Sequence, residues 1–164
     1  MDDDDDRARV LHGLGYGLYV ATAAGGGTRC GWAATWLMQC SFDPPAVAIA
    51  ARRDSTRAAT IAAGGVFAVN LMERGQQDLV SRFYAPVEET GPDLAGVAFT
   101  LGDTGCPLLD DGLGAIECRV TDSVPGGDHT IFVGDVVAAR WLRDGVPLTL
   151  RDTGLDYGGL EDTS

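Results

Sequence analysis

The chain contains no lysine: all 12 basic residues are arginine, set against 24 aspartates and glutamates. That absence excludes a Schiff-base lysine and the lysine of a phosphate-binding P-loop. The net charge of −12 argues against general binding to nucleic acid or to an anionic membrane surface, since both partners carry the same sign. An anionic ligand can still bind where arginines and backbone N–H groups gather. No apolar run approaches the roughly 20 residues that cross a bilayer. Met1 is followed by Asp2–Asp6 instead of the basic residues that open a secretion signal, so a cytoplasmic location is expected. Histidine is limited to His12 and His129, and the four cysteines, Cys30, Cys40, Cys106 and Cys118, include no C-x-x-C pair. No metal site is expected from such scattered ligands, and without an export signal the thiols read as reduced and inert. Neither a G-x-G-x-x-G dinucleotide fingerprint nor a serine nucleophile elbow occurs.

What is present fits one packed domain. Of 164 residues, 45% are hydrophobic and 22% charged, while 23 glycines and 7 prolines supply many turns. Residues 1–13 read as an acidic, solvated tail and a short helix over 7–13, with a single domain over 14–164. Strands are expected over 16–22 and 29–36, joined at Gly25-Gly26-Gly27 as a hairpin. Pro44-Pro45 precedes a buried strand over 46–51. Ser55 is placed to cap a helix over 56–63 that Gly64-Gly65 would end. A strand over 66–71, a helix over 76–83 with Leu79, Val80 and Phe83 on its apolar side, and a loop over 85–96 follow. In the strand over 115–121, Ile116, Cys118 and Val120 alternate with Glu117, Arg119 and Thr121. A turn at 125–128 leads into a long strand over 130–141. The pattern predicts a mainly β (α+β) fold, a β-barrel with a few short helices.

The stretch Cys30-Gly-Trp-Ala-Ala-Thr-Trp-Leu-Met-Gln-Cys-Ser-Phe-Asp-Pro-Pro45 resembles the signature of the flavin reductase-like family. Three further blocks agree in order: 65–71 leading into 76–83; Gly105-Cys-Pro-Leu-Leu109 followed by 115–118; and Gly127-Asp-His-Thr-Ile-Phe-Val-Gly134 followed by Pro147-Leu148 and Tyr157-Gly158. The resemblance covers roughly residues 14–160. It implies an FMN-binding split β-barrel with Greek-key character. Such a protein would pass hydride from NADH or NADPH to FMN, with FAD as the alternative, and supply a redox partner such as a monooxygenase. It also implies a homodimer. The alternative left open is a flavin-binding electron carrier that does not oxidise NAD(P)H. Many relatives carry asparagine where this chain has Cys30.

A flavin needs cations and N–H groups at its phosphate and donors along the ring edge that gains charge on reduction. The segment 35–41 offers the hydroxyls of Thr35 and Ser41, the Gln39 amide and backbone N–H groups beside Trp36 and Leu37. By themselves these residues read more readily as a strand end with Trp36 and Leu37 in the core. Arg52, Arg53, Ser55, Thr56 and Arg57 lie just before a helix N-terminus, which suits an anion. The resemblance favours Arg53, Ser55 and Thr56 as phosphate contacts, whereas the residues alone also fit a solvated, capped turn. Phe83 is a candidate for the flavin pocket or for the core. His129, in a Gly-Asp-His turn, corresponds to a histidine near the face where nicotinamide docks, and it is equally able to be a strand-end hydrogen bonder. Tyr157 is a weaker candidate for the same pocket, while Trp32 and Trp141 read as packing or subunit-contact residues.

Overall fold

A computed structural model describes residues 3–89 and 91–155. Its strands are β1 (Tyr19–Gly25), β2 (Thr28–Ala34), β3 (Leu37–Phe42), β4 (Pro45–Arg52), β5 (Val66–Leu71), β6 (Val87–Glu88), β7 (Asp93–Leu94), β8 (Val97–Leu101), β9 (Pro107–Leu109), β10 (Gly114–Gly126) and β11 (His129–Trp141). The helices are α1 (Asp3–Gly13), α2 (Thr56–Gly64) and α3 (Gln77–Ser81), with a 3-10 turn over Leu150–Thr153. Eight strands form one sheet in the order β3-β4-β11-β10-β5-β1-β2-β6, and β7-β8-β9 form a second. Every pairing is antiparallel. No helix among the described residues is long and apolar enough to cross a membrane.

Period-two alternation sorts the side chains of the large sheet into two faces. Ala21, Trp32, Ile49, Phe67, Cys118 and Phe132, each from a different strand, meet in one buried cluster, so the sheet curls around them as a barrel. The helix α2 closes one end of this core with Ala58 and Ile61. The opposite faces of β1, β2 and β5 are covered by an outer layer. Leu18, Val20 and Ala33 pack there with Val80, Phe83, Leu94 and Leu109, and Val66, Ala68 and Ala115 pack with Cys106 and Leu108.

Two buried polar side chains tie the outer layer to the barrel. Asn70, fully buried, donates from Nδ2 to the Val20 carbonyl at 3.0 Å and accepts the Leu109 N–H at 2.7 Å. The Glu117 carboxylate, 4% exposed, accepts the backbone N–H groups of Asp103 and Thr104 and the Thr104 hydroxyl. Such groups remain buried at low cost because they are hydrogen-bonded.

The packing of α2 on β1 depends on missing side chains. A Cβ on Gly64 would fall within van der Waals radii of the Ala24 carbonyl oxygen, and one on Gly25 would meet the Thr60 carbonyl and the Gly64 nitrogen. Helix and strand therefore touch through backbone. Ser55 caps α2 by accepting the Ala58 N–H, and Gly65, at φ 66°, ends it in the left-handed conformation.

The sequence-based elements differ from the observed ones in several places. The acidic start is helical from Asp3, because aspartates are favourable in the first turn, where they meet the positive end of the helix dipole. The segment 37–42, read from the sequence as a strand end, is a strand of its own, the edge strand β3, with a bulge at Cys40. The expected helix over 76–83 is shortened to α3, with Phe83 beyond its end. The loop over 85–96 contains β6 and β7. Glu117 lies on the outer face as its alternation requires, but it is buried because the segment 102–106 crosses above it.

Gly64→Ala is expected to destabilise the fold by about 3 kcal/mol, because backbone has to move to admit the methyl group. That corresponds to a fall of about 6–12 °C in Tm by calorimetry, whereas Gly13→Ala, with nothing near its Cβ, should leave Tm essentially unchanged. The four cysteines are unpaired, and only Cys40 is exposed. Burial pushes the thiol of Cys106 up to about 11 and that of Cys118 up to about 12, and raises Cys30 as well. A disulfide reagent applied to the native protein at pH 8 should therefore find one fast thiol, with the others reacting after denaturation.

Candidate active site

The site forms where β2, β4, β11 and α2 converge. Antiparallel pairing sets His129, the first residue of β11, opposite Arg52, the last of β4. The Arg53 N–H donates to the Asp128 carbonyl at 2.9 Å and locks the turn to the hairpin. Thr35 and Trp36 form the two-residue link between β2 and β3, held by the Ala50 N–H donating to the Trp36 carbonyl at 3.1 Å. The Ser55 cap fixes the first turn of α2 beside them, carrying Arg57. Thr35, Trp36, Arg52, Arg57 and His129 together line a cavity of about 30 Å³.

His129 is 4% exposed. Its Nδ1 lies 2.6 Å from Oδ1 of Asp128. The hydrogen bond from the ring, followed by its charge, holds the Asp128 carboxyl below the usual aspartate range. An ionised carboxylate can only accept, so Nδ1 carries the donated proton. The pair contributes to stability at neutral pH, and that contribution is lost as the pH falls through the lowered Asp128 value. The Trp36 indole lies against the imidazole, with ring centroids 4.7 Å apart and planes inclined at 51°.

On the other side of Trp36 lies a groove of about 440 Å³, walled by Tyr16, Trp36, Leu37, Met38, Ile49 and Ile131 among others, with no charged side chain. Thr35, Trp36 and Ala50 belong to both spaces. Among the described residues no group of His, Cys, Asp and Glu could hold a metal ion.

Five of the residues singled out in the sequence, Thr35, Trp36, Arg52, Arg57 and His129, converge here, and Leu37 joins them along the groove. The others lie elsewhere. Gln39 is exposed, and its amide donates to the Ser41 carbonyl. Arg53 and Thr56 are exposed at the strand-to-helix turn. The Ser55 hydroxyl is already engaged, donating to the Arg52 carbonyl at 2.6 Å and accepting the Ala58 N–H at 3.2 Å. Phe83 is fully buried on the outer side of β2, where Gly31 leaves room for its ring. Cys30 points into the barrel, its thiol hydrogen-bonded with Thr60 of α2. Tyr157 lies outside the described residues. Tyr16, Met38, Ala50 and Ile131 were not read from the sequence as walls. Two of them carried a signal, since Ala50 and Ile131 stand two residues from Arg52 and His129 and so share their strand faces.

An apolar groove beside a cationic cavity at a helix N-terminus fits the two ends of a flavin nucleotide, a flat apolar ring and an anionic phosphate. Residues 11–159 match the model of the flavin reductase like domain, and the chain belongs to that family; the barrel is its split-barrel fold. The chain is 35% identical over 127 residues to FMN reductase (NADH) RutF 2 of Rhizobium rhizogenes, covering 77% of this chain and 73% of that protein. It is 29% identical over 138 residues to Diflavin flavoprotein A 1 of Synechocystis, covering 84% of this chain but 24% of that protein. The solved structure of NADH:FAD oxidoreductase SgcE6 from Streptomyces globisporus C-1027, in complex with NAD and FAD fragments, superposes with a TM-score of 0.74. That match has 27% identity and spans 100% of this chain and 99% of the other.

Proposed function

We infer that this protein is an NAD(P)H-dependent flavin reductase that takes hydride from NADH or NADPH onto FMN or FAD and supplies reduced flavin. One observation carries the reading: in a chain matched to the family over residues 11–159, Arg52, Arg57 and His129 surround a cavity that adjoins an apolar groove. Bound flavin supplies the hydride-accepting chemistry, and the residues bind, orient and tune it. Leu37, Ile49 and Ile131 exclude water from the ring, and the Thr35 hydroxyl offers a donor at its edge. Arg52, Arg57 and the positive end of α2 neutralise the phosphate, with Arg53, Ser55 and Thr56 completing that turn. His129, oriented through Nδ1 by Asp128, is the group that positions the nicotinamide and can move a proton at Nε2. The reduced flavin then serves an acceptor such as a monooxygenase. A cytoplasmic location accords with four unpaired thiols.

Two copies form the working unit in this reading. A basin of about 410 Å³ is lined by Tyr19, Leu37, Ile116 and Trp141 among others, with Arg140 its one charged residue. Trp141 in its wall is 61% exposed, and a second copy is the natural cover for such a surface.

The decisive experiment is anaerobic absorbance spectroscopy of the purified protein loaded with FMN. The flavin band at roughly 450 nm should bleach on addition of NADH or NADPH, and a band that stays unbleached with both would mark an electron carrier. His129→Ala should lower kcat/KM for the nicotinamide donor about 100-fold while FMN affinity changes only a few-fold. For the assembly, sedimentation should give a dimer, and Trp141→Asp should weaken it by at least about 30-fold, the cost of losing a buried aromatic anchor.

A further inference from the structure

Among the described residues the sulfur atoms divide into two groups. Cys30, Met72, Cys106 and Cys118 are at most 1% exposed. Met38 is 62% exposed, and Cys40 is open to solvent as well. Both lie on β3, the edge strand that pairs with β4 alone. Of the two, only Met38 lines the groove, where its neighbours Ala48 and Ala50 are small. An open position on an edge strand ordinarily carries a polar or charged side chain, which keeps the edge from pairing. A methionine there instead offers a flexible, polarisable surface suited to lie against a flat ring.

The same thioether is also a target. On the flavin reductase reading, the groove holds reduced flavin, and reduced flavin has a side reaction in air. Dioxygen takes two electrons and two protons from it, leaving oxidised flavin and hydrogen peroxide. A thioether accepts one oxygen atom from peroxide to become a sulfoxide, and the other oxygen leaves as water. Peroxide that forms within the groove meets Met38 before it is diluted into solvent, so this sulfur is exposed to a far higher local concentration than those outside. Cys40 does not line the groove, and the remaining sulfurs are buried.

We propose that Met38 is the site at which the protein is oxidised by its own reaction, and that the resulting sulfoxide loosens its hold on flavin. The proposal rests on the flavin reductase reading of the site. Oxidation turns an apolar, adaptable part of the groove wall into a polar one. A sulfoxide oxygen beside an apolar ring gives up water without gaining a hydrogen bond, which costs affinity. Flavin reduction is thereby slowed when reduced flavin meets dioxygen instead of its acceptor, and reduction of the sulfoxide restores it.

The test uses the full chain with FMN, the nicotinamide donor that reduces it, and aerated buffer containing catalase to remove peroxide from solution. N-Acetylmethionine serves as the reporter of any peroxide that escapes. Peptide mass spectrometry should show one oxygen atom added to Met38 in step with donor consumption, at least about tenfold faster than to the reporter. Met72 should stay unmodified, as should Met38 when dioxygen or the donor is left out. The oxidised protein should bind FMN about tenfold more weakly, and treatment with methionine sulfoxide reductases should restore the affinity. Met38→Leu should keep its own starting affinity through the same treatment. Donor consumption with Met38 unmodified, or modified no faster than the reporter, would overturn the proposal and leave the flavin reductase reading intact. So would a Met38 sulfoxide that binds FMN as tightly as before. If neither NADH nor NADPH reduces FMN, that reading fails and the proposal with it.

Discussion

The arrangement of the site depends on the close approach of α2 to β1. With hydrogen atoms in place of side chains at Gly25 and Gly64, helix and strand meet backbone to backbone. The helix is thereby drawn over the end of the barrel, where Ala58 and Ile61 complete the core. Its first turn is carried to the end of β4, so that Ser55 can bond the Arg52 carbonyl while capping the helix. Arg57 then stands across the cavity from Arg52 and His129. A side chain at either glycine would push the helix outward, and the cations would no longer converge.

The strongly acidic chain brings its cavity arginines to His129 by topology. Arg52 and His129 lie nearly 80 residues apart in sequence and meet because β4 and β11 are adjacent in the sheet. Elsewhere, several arginines are paired with carboxylates: Arg29 with Glu89, Arg74 with Asp152 and Arg143 with Glu73. Pairs of this kind on a surface contribute little to stability. At the site itself the hydrogen bond from His129, and in part the charge of Arg52, holds the Asp128 carboxylate below the usual aspartate range.

The sequence was most legible where local rules dominate. β5 and the α2 cap and stop were readable because a strand bounded by glycine and a Ser–helix–Gly segment depend on neighbours within a few residues. The outer layer was not readable. Alternation assigned Glu117 to the polar face but could not show that the segment 102–106 lies above it, since that contact joins separate parts of the chain. Phe83 was ambiguous for the same reason, because an aromatic near an amphipathic helix looks alike whether it faces a ligand or the back of β2. Within the site, residues drawn from the strand ends converged, while Gln39 and Ser41 lie further along β3 than the groove extends. Ser55 shows a different limit, since one hydroxyl reads as a cap and as a phosphate contact until its partners are seen.

One wall of the groove belongs to β3, which pairs with β4 alone and is interrupted by a bulge at Cys40. Such a strand sits at the low end of a protein's local stability scale, so its hydrogen bonds open without unfolding the barrel. The free energy that holds Leu37 and Met38 in place is therefore separable from the free energy of the fold. A ligand bridging β3 to β11 would add its own binding energy to that weakest strand. Amide exchange along β3 would then report occupancy of the groove far more sensitively than global melting.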